Sequence, residues 1–165
     1  MPKFFNVDET RKSNKVFVTG SVANDFKKTR EFYRSNKDAI VKAFDIAMTQ
    51  MNVKDKNLKL FIRNIRKAQG FYKNGVNECA IDIRCYDLKS IVSTIIHELQ
   101  HSIQYANGDL KISEVKKMMC WKGENIRKYK STENFEEYQK LPWEIEARSA
   151  EAKYIDKVMK ALEKA

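Results

Sequence analysis

The sequence predicts an α+β domain: a small, mostly antiparallel sheet packed against a backing helix and a histidine-bearing helix, followed by a C-terminal helix that carries glutamates. Three observations predict it. Apolar residues recur at helical spacing over residues 40–51, 91–103 and 143–158. Cys79, Ile81 and Ile83 alternate with Glu78, Ala80 and Asp82, the pattern of a half-buried strand. At 165 residues with 42% hydrophobic and 11% aromatic content, the chain is long enough for one sizeable core, and five glycines and two prolines leave little material for linkers.

Taken in order, residues 1–30 read as a basic, partly ordered arm around the strand-like Val16-Phe17-Val18, and residues 31–165 as a single domain. Ser35, with Asp38 three residues later, resembles a capping box, and Ile40, Phe44, Ala47, Met48 and Met51 then form the stripe of a backing helix ending near Asn52. Residues 58–65 have strand composition, and Lys73-Asn74-Gly75 supplies a turn before the alternating strand. From Asp87 to Gly108 a wide apolar face of Ile91, Ile95, Leu99 and Ile103, with Val92 and Ile96 beside it, marks a core helix. Asp87 is its N-cap and Asn107-Gly108 its stop. Met118 to Ile126 reads as a hairpin turning at Lys122-Gly123, followed by a polar segment that reaches Leu141. Pro142 then opens a helix with the apolar row Trp143, Ala147, Ala150, Tyr154 and Val158.

The histidines carry the chemistry. His97 and His101 stand four residues apart on the core helix, so both imidazoles project from one face toward one point, with Glu98 beside it. This is the HExxH spacing of a helical zinc site. Zinc takes neutral imidazole nitrogen, and a catalytic site supplies three protein ligands and keeps a fourth position for water, whose pKa falls to about 7. A carboxylate placed like Glu98 can take that water's proton as it attacks a carbonyl.

A third ligand has to come from outside the motif. There is no third histidine: Gln104 and Asn107 stand where the pattern HExxHxxGxxH has its glycine and last histidine. Cys79, Cys85 and Cys120 are available, but the first two suit an apolar strand as small core residues, and a carboxylate is the favoured donor. Glu144 and Glu146 flank the apolar row of the last helix on opposite sides. A first-turn carboxylate such as Glu144 is explained by the helix dipole alone, so Glu146 is the favoured ligand, Glu144 the alternative and Glu151 a distant third.

His97-Glu98-Leu99-Gln100-His101, the segments Gly70-Phe71-Tyr72 and Asn77 to Ile83, and Pro142-Trp143-Glu144-Ile145-Glu146-Ala147 together resemble a small gluzincin-type zinc metallopeptidase. They are similar to the SprT-like and ImmA/IrrE-like minimal zincins and to short metallopeptidase-like proteins of phages and bacteria. The resemblance spans about residues 58–151. It implies one zinc ion held by His97, His101 and Glu146, with Glu98 as catalytic base. It also implies a peptide-binding sheet edge near residues 77–83, with Asn77, Cys79 and Ile81 meeting a protein or peptide substrate. Tyr105, Tyr129, Tyr138 and Arg148 are unranked candidates for a donor to the oxyanion of the reaction.

The net charge of +10 is not explained by a peptidase. Residues 116–130 hold six basic side chains against one acidic, and residues 133–151 hold six acidic against two basic. Such a surface suits nucleic acid or acidic proteins, but no zinc finger, RNA-binding signature or helix-turn-helix accompanies it, so nucleic acid is not the favoured partner. The alternative function is a non-catalytic zincin-fold binding or virion-associated protein, DNA-linked through that surface. No run reaches membrane-spanning length and no leader pattern opens the sequence, and three cysteines at no framework spacing favour reduced thiols. The expectation is a cytoplasmic protein that is not secreted.

Overall fold

The computed structural model describes residues 4–6, 15–19, 27–55, 57–63, 69–82, 87–113, 115–128 and 135–165, with side chains from residue 31 onward except Arg63. Its first elements are β1 (Phe4–Asn6), β2 (Lys15–Thr19) and the long helix α1 (Lys27–Gln50). Three strands follow: β3 (Lys59–Arg63), β4 (Gly70–Lys73) and β5 (Glu78–Asp82). Helix α2 (Leu88–Asn107) leads into β6 (Leu110–Ser113), β7 (Met118–Trp121) and β8 (Glu124–Lys128). A short α3 (Phe135–Gln139) precedes α4 (Pro142–Glu163).

The α+β class holds, with two sheets rather than one. The larger is mixed, in the order β1-β2-β3-β5-β4, with β2, β3 and β5 parallel and the outer strands antiparallel. The smaller, β6-β7-β8, is antiparallel throughout. Because β1 and β2 extend the larger sheet, the segment read as an arm contributes two of its strands. A parallel β3–β5 pair cannot be joined by a tight turn. The chain solves this by crossing from β3 to β4 on the far side and returning through the turn at residues 74–77.

Helix α1 begins well before Ser35. Tyr33, only 4% exposed, extends the stripe of Ile40, Phe44, Ala47 and Met48 two turns further back, so burial of its ring overrides the local capping signal. Its end is as expected. Asn52 takes the left-handed conformation (φ 54), its N–H donates to Thr49 O and that of Val53 to Met48 O, which closes the helix as a Schellman motif.

Helix α2 has both predicted ends. Asp87 accepts from the Ser90 amide at 2.9 Å, a cap worth about 1 kcal/mol, and Gly108 takes the left-handed φ of 78 that stops the helix. Its apolar face of Ile91, Val92, Ile95, Ile96 and Leu99 is fully buried with Leu60, Ile62, Cys79 and Ile81 of the sheet, the α1 stripe, and Ala150 and Val158 of α4. The site helix is therefore fixed from three sides. Lys122 (φ 48) and Gly123 (φ 88) make the two-residue turn between β7 and β8. The small sheet closes a second cluster, in which Leu110, Leu141 and Trp143 pack with Met119 and Trp121 over the start of α4. No described helix is long and apolar enough to cross a membrane.

Candidate metal centre

Two helices build the centre. On α2, His97 and His101 stand one turn apart, their rings edge-on at 80° with centroids 4.8 Å from each other. On α4, Pro142 occupies the first turn, where its missing N–H costs nothing, and Trp143 is driven into the second cluster at 2% exposure. Anchoring Trp143 sets the rotation of the helix and turns the next residue inward. Glu144 is consequently 4% exposed, with Oε2 3.0 Å from His97 Nε2 and Oε1 3.1 Å from His101 Nε2.

This corrects the favoured third ligand. Glu146 points to the opposite flank, where Oε2 accepts hydrogen bonds from Gln100 Nε2 at 3.2 Å and Gln104 Nε2 at 2.8 Å. The helix dipole accounts for a carboxylate in the first turn without excluding a second role for Glu144. A side chain can face the positive helix end and two imidazoles at once. Glu151, two turns beyond Glu144 on the same face, takes a third role: it accepts from His97 Nδ1 at 2.5 Å and from Ser93 Oγ at 2.7 Å.

Each histidine thus has its Nδ1 engaged away from the centre and its Nε2 turned into it. His97 Nδ1 donates to Glu151, and His101 Nδ1 donates to Gln104 Oε1 at 2.9 Å. Metal-binding histidines are commonly held this way, with the distal N–H tied to a carboxylate or an amide oxygen. One donor atom from each of His97, His101 and Glu144 lies within 4.8 Å of the others, and the Glu144 oxygens stand 3.0 and 3.1 Å from the two Nε2 atoms, close to the roughly 3.4 Å between tetrahedral zinc ligands. Buried Oε2 of Glu98 has no hydrogen-bond partner among the described residues, as expected of an oxygen beside a cation or a water. The donor set of two imidazoles and a carboxylate fits a metal ion, and the triad could hold one.

The electrostatics are those of a buried cluster. Burial alone would lower His97, but the hydrogen bonds to Glu144 and Glu151 outweigh it and push the pKa up to about 10. His101 is raised in the same way, burial being outweighed by Glu144 and Glu98. Glu144 goes the other way: burial would raise it, and the two histidines pull it far below the usual carboxylate range. Glu98 is pushed up to about 7, mainly by burial, with the histidines opposing and the neighbouring glutamates adding to the rise. A carboxyl that titrates near neutrality is suited to both taking and giving a proton.

Other expected site residues fall elsewhere. β5 lies between β3 and β4, so residues 78–82 are not an edge. Cys79 and Ile81 are in the core at 1% and 0% exposure, and Asn77 is a turn residue with φ 54. Among the described strands, the edge on this side is β4. Its first residue, Gly70, lies against the centre: a Cβ there would stand 2.7 Å from the Ala80 carbonyl oxygen and from Thr94 Cγ2 and 3.0 Å from Glu98 Oε1, so there is no room for a side chain. Among the oxyanion candidates, Tyr105 packs with the second cluster and against the ring of Tyr72, and Arg148 donates to the Gln139 carbonyl. Tyr129 lies outside the described residues, as do Ile83 and Cys85. Tyr138 is at the centre. The residue is 41% exposed, yet its hydroxyl reaches Glu144, and burial together with the carboxylate's charge raises its pKa. Two participants went unrecognised as such in the sequence, Gln104 and Ser93. A glutamine on the buried side of an apolar helix, here 1% exposed, is the signal that would have marked the first.

No protein-family model, no curated protein and no solved structure is matched by this chain.

Proposed function

We propose that the protein is a zinc-dependent peptidase whose metal is held by His97, His101 and Glu144, with Glu98 as general base. The observation that carries this reading is the Glu98 carboxylate: 4% exposed, its Oε2 without a hydrogen-bond partner, beside the triad and titrating at about 7. A site built only to brace the fold closes around its metal with four protein ligands and has no use for an unpaired buried carboxylate.

Zinc, when bound, acts as a Lewis acid toward the peptide carbonyl and lowers the pKa of water. The chain's own residues do the rest. Glu98 accepts the proton of the attacking water as its oxygen bonds to the carbonyl carbon. It then delivers that proton to the amine as the C–N bond breaks, so the carboxylate is regenerated. Tyr138, released from Glu144, donates to the developing oxyanion, a contribution often worth about 2.7–4 kcal/mol.

The substrate lies along β4 in this reading. Asp82 N–H donates to Gln69 O, and Phe71 faces Ala80, so residues 69, 71 and 73 turn their main-chain groups toward β5. The alternation leaves those of Gly70 and Tyr72 on the open edge, where an extended peptide adds by main-chain pairing. Gly70 brings that edge next to Glu98.

The test is Glu98→Gln. It should retain one zinc per chain and the fold while peptide cleavage falls by about 10²–10⁴-fold. Unchanged turnover in that variant would remove Glu98 from the mechanism, and a wild-type protein that binds zinc but cleaves no peptide library would remove the peptidase reading.

A further inference from the structure

We propose that Gln104 is a positioning residue of this centre: its amide orients His101 so that Nε2 faces Glu144, and ties that ring to the first turn of α4. The inference rests on the metal-centre reading above and adds a residue that the HExxH motif does not contain.

The orientation of the amide is fixed by its partners. Its nitrogen lies 3.0 Å from the carbonyl oxygen of Trp143 and 2.8 Å from Glu146 Oε2. Both partners accept only, so both N–H groups donate to α4 and the oxygen is committed to His101 Nδ1 at 2.9 Å. A flipped amide would set its oxygen against two acceptors. His101 Nδ1 therefore carries a proton, and the ring's only lone pair for a metal is on Nε2, 3.1 Å from Glu144 Oε1. The carbonyl that Gln104 holds belongs to the peptide unit leading into Glu144. One side chain thus sets a ligand on α2 and the approach of a ligand on α4.

Few side chains meet these demands at a position only 1% exposed. A glutamate offers no donor to Trp143 and repels Glu146, a lysine or arginine offers no acceptor to His101, and asparagine is one methylene short. The amide also differs from the device used on His97. Glu151 orients that ring with a carboxylate, whereas Gln104 orients His101 without placing a second outer negative charge on the centre.

The experiment measures zinc affinity by competition with a chelating dye, and the visible spectrum of the cobalt-loaded protein. Gln104→Met should weaken zinc by about 10–100-fold and alter the cobalt bands. Gln100→Met, which loses a bond to Glu146 but none to His101, should change neither. Glu146→Met should lose much less than Gln104→Met, because the amide keeps Trp143 and His101. Gln104→Met binding zinc within about twofold of wild type would overturn the proposal, as would an equal loss in Glu146→Met. Failure of the underlying reading looks different: zinc is then not bound by the wild type, or is bound equally by His101→Ala, and the proposal falls with it.

Discussion

The carboxylate of Glu151 sits 2.5 Å from His97 Nδ1, on the ring nitrogen turned away from Glu144. It fixes the ring's orientation and makes Nε2 a stronger donor to a metal. Glu151→Ala should therefore weaken zinc by about 10–100-fold without removing a ligand, while Glu151→Gln, which keeps an acceptor for Nδ1, should lose less. Dye competition on the two variants measures both.

Metal content separates the two glutamates that helical geometry left open. Glu144→Gln removes the carboxylate that meets both Nε2 atoms and should purify with far less than one zinc per chain. Glu146→Gln leaves the triad intact and should keep its zinc. Elemental analysis of freshly purified protein decides between them, and zinc loss confined to Glu146→Gln would restore the sequence-based choice.

Without metal, stability should fall as the pH rises. His97 titrates at about 10 in the folded protein against 6.5 as an isolated group, so its contribution is complete below 6.5 and disappears as the pH climbs through 10. Glu98 acts with the same sign: its folded pKa of about 7 lies above 4.5, so the folded state holds the extra proton between those values and loses stability across them. Glu144, depressed below 4.5, adds a loss only on the acid side. Zinc displaces the histidine protons, so its stabilisation should grow with pH. Urea midpoints at about pH 5.5 and about pH 9, with and without zinc, check this; a metal-free protein more stable at the higher pH would contradict it.

Tyr138 is the remaining catalytic test. Tyr138→Phe keeps the ring and removes the hydroxyl that reaches Glu144. The expected outcome is a kcat lower by about 10²–10³-fold, with KM and zinc content nearly unchanged. A change in KM alone would mean that the exposed ring contacts substrate and the hydroxyl does not act in the chemical step.

Much of the fold was legible because its signals are local. Asp87 and Gly108 bound the site helix through bonds to residues three positions away, and Lys122-Gly123 has the backbone freedom that a two-residue turn requires. Ser35 shows the limit of such signals: its capping pattern lost to a buried tyrosine one half-turn earlier, a contact made only after the core assembles. Strand order was hidden for the same reason. The alternation of residues 78–82 shows that one face is buried and the turn at 73–75 points to the β4 hairpin, but the parallel pairing with β3 joins residues 19 apart in the chain.

The sequence by itself determined the donor types and their spacing: two imidazoles one helical turn apart, a glutamate between them, and a carboxylate on a later helix, because covalent geometry and helical periodicity operate over a few residues. Only the tertiary structure decided which carboxylate arrives. The burial of Trp143 in the second cluster rotates α4 so that Glu144 meets the histidines while Glu146 meets Gln100 and Gln104. That rotation is set by packing against β6, β7 and Leu141, which no periodicity within the helix encodes.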